Sequence, residues 1–473
     1  MGRPFGPSGE PSGRVPPSLP ARAFARKGLR RSLRTMSPAP DPGPSRVATS
    51  RRSGAVTRAY DAARQRYGTA GVDTEAALVT LAGIPISLQC WQGDDVQGFE
   101  GDAPGSPGGG LAVTGTHPGR ARTPAELRDD LECALSVIPG RHRVNLHAIY
   151  GESDGTPLQR DTVHPGHFQG WVDWARRLGL GLDFNPTCFA HPMAADGLTL
   201  AHPDRGVRRF WIDHCRRSRR IAAFLGRELG SPCVGNVWVP DGFKDTPADR
   251  GGPRELLAQS LDAVFAERLA ARHLVDSVEP KLFGIGAESC TVGSHDFLLA
   301  YAISRRKYLC LDMGHFHPTE SVADKLTAIL PFVPGLLLHV SRGVRWDSDH
   351  VVTLNDELTA VAREAVAPGV LPRVRLGMDY FDASIDRVAA WVVGARALGR
   401  ALLAGLLEPP GIRAAETRGD RTTRLALQEE AKGLPWGAVW DEHCRRQGVP
   451  VGEAWLDRIH RHAERTARER AGR

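Results

Sequence analysis

The sequence predicts an α/β fold: a (β/α)8 TIM barrel, preceded by a disordered basic tail and followed by a helical extension. Three observations predict it. Short apolar runs rich in Leu or β-branched residues alternate with longer amphipathic segments, the rhythm of a parallel sheet with crossover helices. Eight such runs occur, the number that closes a barrel. Charged residues gather at the carboxyl ends of the later runs, the end at which a parallel barrel keeps its chemistry.

In chain order the strand candidates are 85–91 (PISLQCW), 143–149 (RVNLHAI), 179–185 (GLGLDFN), 233–239 (CVGNVWV), 278–284 (VEPKLFG), 308–313 (YLCLDM), 335–341 (GLLLHVS) and 373–379 (RVRLGMD). Helical patterns cover 123–137, 166–178, 205–229, 254–272, 320–330, 355–367 and 384–406. Thr123 has capping-box spacing to Glu126, and Thr319 precedes a helix expected to begin near Glu320. Residues 384–470 read as Arg-rich helices without further strands, placed to wrap the barrel or build an oligomer contact. The glycine-rich segment 98–110 reads as a mobile loop, and no internal repeat is found. The division is therefore tail 1–55, barrel 56–383 and extension 384–473.

The chain has 473 residues, 41% hydrophobic and 24% charged, a globular composition with ample core. Its formal charge of +7 is misleading. Residues 1–55 hold eleven Lys and Arg against Glu10 and Asp41, a net +9, so the other 418 residues carry −2. A body so close to neutral offers no basic stripe for nucleic acid. The tail contains ten of the 35 prolines and almost no apolar run, too little burial to offset the entropy of ordering. Met36 is a candidate initiator within it. No apolar core of a secretory signal follows its charges, although an Arg- and Ser-rich, acid-poor tail also fits an organellar transit peptide. The eight cysteines form no C-x-x-C pair, which points to a reducing, cytoplasmic compartment. No apolar stretch of about 18 residues is evident, so no membrane span is expected.

Charged groups inside a parallel barrel are costly unless they have a task. Glu279 and Lys281 stand two apart and so share one side of their strand. The sixth candidate strand ends in Asp312 followed by His315 and His317; the seventh carries His339 and leads to Asp347, Asp349 and His350; the eighth ends at Asp379. Five carboxylates (Glu279, Asp312, Asp347, Asp349 and Asp379) converging on one barrel mouth repel and raise one another's pKa. Two divalent cations and Lys281 would neutralise them. Glu279, Asp312, His339 and Asp379 can form a four-ligand cage, and His315, Asp347 and Asp349 a second, more open site. Oxygen-rich sets with one imidazole each favour Mn²⁺, Co²⁺ or Mg²⁺, with Zn²⁺ also compatible. Taken singly, Asp312 or Asp379 reads as a helix N-cap and His339 as a core histidine. Seven such residues on four consecutive strand ends do not. His317, His350, His460 and His462 read as surface or supporting groups.

The strings CWQGDDV (90–96), NLHAIY (145–150), GLDFNP (181–186), FWIDHC (210–215), KLFGIGAES (281–289), DMGHFHPTE (312–320) and LLHVSRGVRWDSDH (337–350) closely resemble bacterial L-rhamnose isomerases, over roughly residues 59–470. The resemblance implies a barrel of the xylose-isomerase type, a homotetramer, and conversion of L-rhamnose to L-rhamnulose in rhamnose catabolism with bound divalent metal, Mn²⁺ foremost. The family's ligand pattern falls on the same two groups of residues. The reaction it implies is a hydride shift between the first two sugar carbons, with Glu279 and Asp379 beside the sugar hydroxyls and Lys281 donating to the carbonyl oxygen. His147 would assist ring opening or bind the ring hydroxyl, and Trp238 would wall the pocket. The methyl of a 6-deoxy sugar needs an apolar patch, which by resemblance Val96, Ile149, Tyr150 and Phe381 would supply. A methyl-sized pocket discriminates by only about 1 to 3 kcal/mol, so related sugars should be weak substrates. Pro280 departs from the family, where a small polar residue is expected, as does the glycine-rich loop in length and composition. Two alternatives stay open at this point: an aldose isomerase with another preferred sugar, and a barrel phosphodiesterase using metal, to which the basic tail lends weight and the near-neutral barrel does not.

Overall fold

Strand interiors here alternate polar and apolar residues, so one face of each strand turns into the barrel and the other meets the helices. The structure, a computed structural model, describes residues 46–93, 98–99, 117–153, 158–282, 287–344, 349–380, 382 and 384–471. Its eight barrel strands are β1 (Pro85–Gln89), β2 (Arg141–His147), β3 (Gly181–Asn185), β4 (Cys233–Trp238), β5 (Leu274–Glu279), β6 (Tyr308–Asp312), β7 (Leu336–Val340) and β8 (Val374–Met378). Each pairs in parallel with its successor, and β8 returns to β1, closing the barrel. The register sets Gln89 beside Asn145, His147 beside Asn185, Trp238 beside Glu279 and Asp312 beside His339.

Seven strands fall within two residues of their expected limits. The fifth does not: it runs Leu274–Glu279 instead of 278–284. Asp276 and Ser277 interrupt its apolar pattern, but Asp276 is held by Arg219 and Lys307, each at 2.8 Å, and Ser277 is buried. Pro280 has no N–H for the ladder, and the strand stops before it.

The crossover helices are α3 (Pro124–Leu135), α4 (Gln169–Leu178), α5 (Arg205–Glu228), α6 (Gly251–Phe265), α7 (His295–Arg305), α8 (Val322–Ile329) and α9 (Asp356–Ala365). Thr123 caps α3 by accepting from Glu126 N at 3.2 Å, while the Glu126 carboxylate accepts from Arg122 N. Before α8 the cap position belongs to Ser321, two residues after Thr319. Ahead of β1 lie α1 (Arg46–Thr69) and α2 (Thr74–Gly83). Helix α1 reaches ten residues into the segment expected as tail, since the run of prolines ends at Pro44. Residues 1–45 of the expected tail, and 100–110 of the expected loop, lie outside the described residues.

After β8 the described chain is helical: α10 (Arg387–Leu406), α11 (Pro410–Thr417), α12 (Arg421–Lys432), α13 (Trp436–Arg446) and α14 (Leu456–Arg470). Contrary to the sequence reading, α10 is long and apolar enough to cross a membrane, yet 72% of that window is buried inside the protein. Arg396 within it donates to the carbonyls of Val137, Pro450 and Gly452, which ties the extension to the barrel helices.

The last helix is anchored by charge. Asp130 on α3 accepts from Arg470 Nη1 at 2.8 Å and faces His462 Nε2 at 2.6 Å. Of the two readings the sequence left for His462, surface or supporting group, the structure gives the second: it is buried against a carboxylate. Burial opposes its charge, but hydrogen bonds to Asp130 and Cys133 outweigh that and push it up to about 9. A raised folded pKa stabilises the protein fully below the unfolded value of about 6.5, and the benefit drains away as pH climbs through about 9. The shift corresponds to a stabilisation on the order of 3 kcal/mol. Thermal melting of wild type and His462→Gln across that range should show a gap in Tm that is widest near pH 6 and narrows steadily toward pH 9 and above.

Candidate metal centre

The carboxyl ends of β5 to β8 bring four ligands together. Glu279 closes β5, Asp312 closes β6, His339 sits on β7 beside Asp312, and Asp379 follows β8. All are buried, and one ligand atom from each lies within 4.8 Å of the others. His339 Nδ1 is 3.0 Å from Asp379 Oδ2, 3.3 Å from Glu279 Oε1 and 3.6 Å from Asp312 Oδ2.

Each carboxylate is aimed by a neighbour on its outer oxygen. Asn236 Nδ2 donates to Glu279 Oε2 at 2.5 Å. Gly314 N and Ser341 Oγ donate to Asp312 Oδ1 at 2.7 and 3.0 Å. Trp91 Nε1 donates to Asp379 Oδ1 at 3.1 Å and Gln89 Nε2 to Oδ2 at 3.2 Å. Such outer hydrogen bonds fix ligand orientation before any cation arrives. Burial opposes a charge on His339, yet the field of Cys310, Glu279 and Asp379 and a hydrogen bond to Asp312 push it well above the ordinary histidine range. Three buried carboxylates thus demand positive charge, and an oxygen-rich set with one imidazole is chemically suited to a divalent cation.

A second group adjoins the first. Asp312, His315 and Asp349 offer ligand atoms within 4.8 Å of one another, so Asp312 belongs to both groups. His315 Nδ1 donates to Pro280 O at 2.9 Å, which leaves the lone pair on Nε2, 4.0 Å from Asp349 Oδ2. The departure at Pro280 therefore leaves a carbonyl in use. Asp349 is delivered by a short antiparallel pairing of Asp349–His350 with Arg342–Gly343. Gly314 makes the approach possible, because a Cβ there would overlap Asp349 Oδ1 and press on Ser341 Oγ. Asp347, expected as a third ligand, lies outside the described residues.

Beside both groups is a cavity lined by Trp91, His147, Asn185 and Trp238 together with the carboxylates. Trp91 stacks on His147 with ring centroids 3.8 Å apart, and Phe189 stands 6.0 Å from Trp91 and 5.8 Å from Trp238. Lys281 is buried with Nζ 5.6 Å from the Trp238 ring centre. His147 Nε2 and Trp238 Nε1 are buried with no hydrogen-bond partner among the described residues. Burial first, then the fields of His339, Arg160 and His214, holds His147 well below the ordinary range, so its imidazole is neutral.

Ile149 and Tyr150, expected at the apolar patch, are buried one turn beyond His147. There Ile149 meets Gly98 and Tyr150 meets Phe99, and neither is among the described residues lining the cavity. Val96 and Phe381 lie outside the described residues. Gln89, Trp91, Asn145, Asn185, Phe189, Asn236 and Ser341 escaped the sequence reading. Most of them had a signal: polar residues at alternate positions of buried strands, Ser87 and Gln89, Asn145 and His147, Asp183 and Asn185, turn into the barrel. Phe189 had none, being an apolar residue in a loop.

Compared with protein families, residues 54–470 match L-rhamnose isomerase (RhaA). The chain belongs to the L-rhamnose isomerase family. Among similar proteins, L-rhamnose isomerase of Yersinia pseudotuberculosis serotype O:1b is 55% identical over 416 residues, covering 88% of this chain and 99% of that protein. L-rhamnose isomerase of Citrobacter koseri is 56% identical over 405 residues, 85% of this chain and 96% of its own length. Among solved structures, one of L-ribulose 3-epimerase has a TM-score of 0.43 at 13% identity, covering 71% of this chain and 98% of that one, too distant to carry any argument. Members of the L-rhamnose isomerase family are aldose–ketose isomerases, and this chain is one.

Gly314 gives the geometry a direct check. Gly314→Ala should cost about 1 to 3 kcal/mol by overpacking. By displacing Asp349 it should also weaken divalent-cation uptake by the metal-stripped protein. Thermal melting and equilibrium dialysis measure the two effects.

Proposed function

We propose that the chain converts L-rhamnose to L-rhamnulose by a hydride shift that depends on two divalent cations, Mn²⁺ foremost, as a cytoplasmic homotetramer. The observation that carries this reading is the pair of ligand groups sharing Asp312, beside a buried lysine and two buried ring nitrogens, of His147 and Trp238, with no partner among the described residues. The eight buried cysteine thiols support a reducing compartment. The tetramer rests on the family resemblance alone.

Glu279, Asp312, His339 and Asp379 would hold one cation, and His315, Asp347 and Asp349 the other, with Asp312 alongside. When bound, the cations polarise the carbonyl and the neighbouring hydroxyl of the open-chain sugar. In the rearrangement the C2 hydrogen moves with its electron pair to C1, and a proton passes from the C2 oxygen to the C1 oxygen, so nothing is oxidised overall. Lys281, desolvated against Trp238, donates to the oxygen at C1 as charge develops there. Neutral His147, with Thr187 Oγ1 3.5 Å from its Nδ1, offers Nε2 to the ring hydroxyl during opening. Trp238 Nε1 takes a second sugar oxygen. Trp91, Phe189 and Trp238 form an aromatic wall that keeps water from the reacting carbons and covers the apolar side of a 6-deoxy sugar. Val96 and Phe381 would complete the methyl contact, with Ile149 and Tyr150 packed behind it.

The test is ketose formation from L-rhamnose by EDTA-stripped protein before and after Mn²⁺ is restored. Activity should return in wild type and not in Asp347→Asn; no ketose from L-rhamnose in the metal-loaded wild type would overturn the reading. With L-rhamnose deuterated at C2, the label should appear at C1 of the product, whereas loss to solvent would exclude the hydride shift. Lys281→Met should lower kcat about a hundredfold with a much smaller change in KM, the size expected for one lost donor to a developing oxyanion.

A further inference from the structure

We propose that Gln89, Asn145 and Asn185 form a directional chain of amides that positions the cage ligand Asp379 and offers Asn185 Nδ2 as a donor to an oxygen of the sugar. The inference rests on the two-cation sugar isomerase reading above and adds to it three residues that bind no metal.

The direction of the chain follows from chemistry at its first link. An ionised carboxylate only accepts hydrogen bonds. The branch of Gln89 that lies 3.2 Å from Asp379 Oδ2 is therefore the nitrogen, and Gln89 Oε1 turns the other way, toward β2. There Asn145 Nδ2 donates to it at 2.7 Å. The same nitrogen donates to Asn185 Oδ1 on β3 at 3.1 Å. Asn185 thus spends its oxygen on the chain and keeps its nitrogen for the cavity that it lines with Trp91 and His147. No member can rotate alone, because a flipped amide would set oxygen against oxygen or nitrogen against nitrogen.

The scaffold holds this order tightly. The three amides come from three adjacent strands, Gln89 lies opposite Asn145 in the ladder, and Gln89, Asn145, Asn185 and Asp379 are 1, 6, 2 and 7% exposed. Water competes poorly in such a place, so each hydrogen bond keeps much of its strength. Trp91 Nε1 fixes the other oxygen of Asp379, which leaves that carboxylate little freedom to turn. Asp379 lies at one end of the chain and the sugar cavity at the other. The ligand field of the cage and the polarity of the pocket are in this way set by one network. A ligand presenting an acceptor oxygen to Asn185 is favoured, and one presenting an ammonium is not.

Two isosteric variants separate the two ends. Asn145→Asp removes the donor that orients Gln89, so the Gln89 amide turns its oxygen toward Asp379. The metal-stripped variant should then bind Mn²⁺ at the cage about tenfold or more weakly, read by electron paramagnetic resonance of free Mn²⁺. Asn185→Asp keeps the acceptor for Asn145 and replaces the donor to the cavity with a carboxylate oxygen. It should raise KM for L-rhamnose about tenfold, hold kcat within about threefold, and not weaken Mn²⁺ binding. Should Asn145→Asp fail to fold, Gln89→Leu asks the same question of the cage and should weaken Mn²⁺ comparably. Wild-type Mn²⁺ affinity in a folded Asn145→Asp or Gln89→Leu would overturn the positioning of Asp379, and an unchanged KM in Asn185→Asp would overturn the sugar contact. If wild-type apoprotein takes up no Mn²⁺ at all, it is the two-cation reading that falls, and the KM of Asn185→Asp still decides the pocket end.

Discussion

Negative charge concentrated at one end of a barrel is the constraint around which this structure is organised. Glu279, Asp312 and Asp379 are buried within reach of one imidazole, where carboxylates repel strongly and water cannot screen them. The protein answers with direction. Every outer oxygen has a donor aimed at it, from Asn236, Gly314, Ser341 or Trp91, so the inner oxygens converge, and Gln89 adds a donor to the inner oxygen of Asp379. The same three carboxylates push His339 well above the ordinary histidine range, against the effect of its burial. The donors need a rigid frame, and closed parallel strands supply one in which neighbouring side chains sit at fixed register.

The helical extension belongs to that frame. Trp391 on α10 is fully buried and donates to the carbonyl of Gln89 at 2.8 Å, just where β1 gives way to the turn carrying Trp91. Tyr380, next to Asp379, donates to Ala390 O at 2.8 Å, and a Cβ on Gly394 would overlap its hydroxyl. Helix α10 therefore grips the end of β1 and the residue that follows Asp379. Its apolar character, which on length and composition alone would suit a membrane, serves a core position packed among the barrel helices and the rest of the extension.

Much of this was legible in the sequence, and the parts that were not have physical reasons. Glu279, Asp312, His315, His339 and Asp379 announce themselves because charge at the end of a buried strand is expensive and rarely accidental. Seven strands were found by their apolar runs, while β5 was displaced because Asp276 looks like a break until Arg219 and Lys307 are seen to neutralise it. Helix α1 was hidden by the Arg-rich composition it shares with the preceding residues. His462 carried no local sign of burial, since its partner Asp130 lies 332 positions away. Phe189 and Trp91 come from turns, where periodicity says nothing about which way a side chain faces. The amide chain was present as a pattern, alternate polar residues on three successive strands, but its meaning depends on which strands are neighbours.

That last point bears on how such a site can distinguish sugars. A pocket that relied on its aromatic wall alone would separate ligands differing by a methyl by only about 1 to 3 kcal/mol, because apolar contact is indifferent to where a hydroxyl points. Polar groups that are buried and cannot reorient are far more exacting, since a mismatched ligand leaves them without a partner. Trp238 Nε1 and Asn185 Nδ2 are donors of that kind and His147 Nε2 is a polar atom of that kind, the ring nitrogens buried with no partner among the described residues and the amide held at the end of an ordered chain. The stereochemistry of a polyol is a pattern of oxygens in space, and a rigid array of donors reads that pattern more sharply than any wall. On this argument the burial of polar groups in the barrel interior, unfavourable for stability taken one by one, is what lets the same scaffold hold its cations and select its sugar.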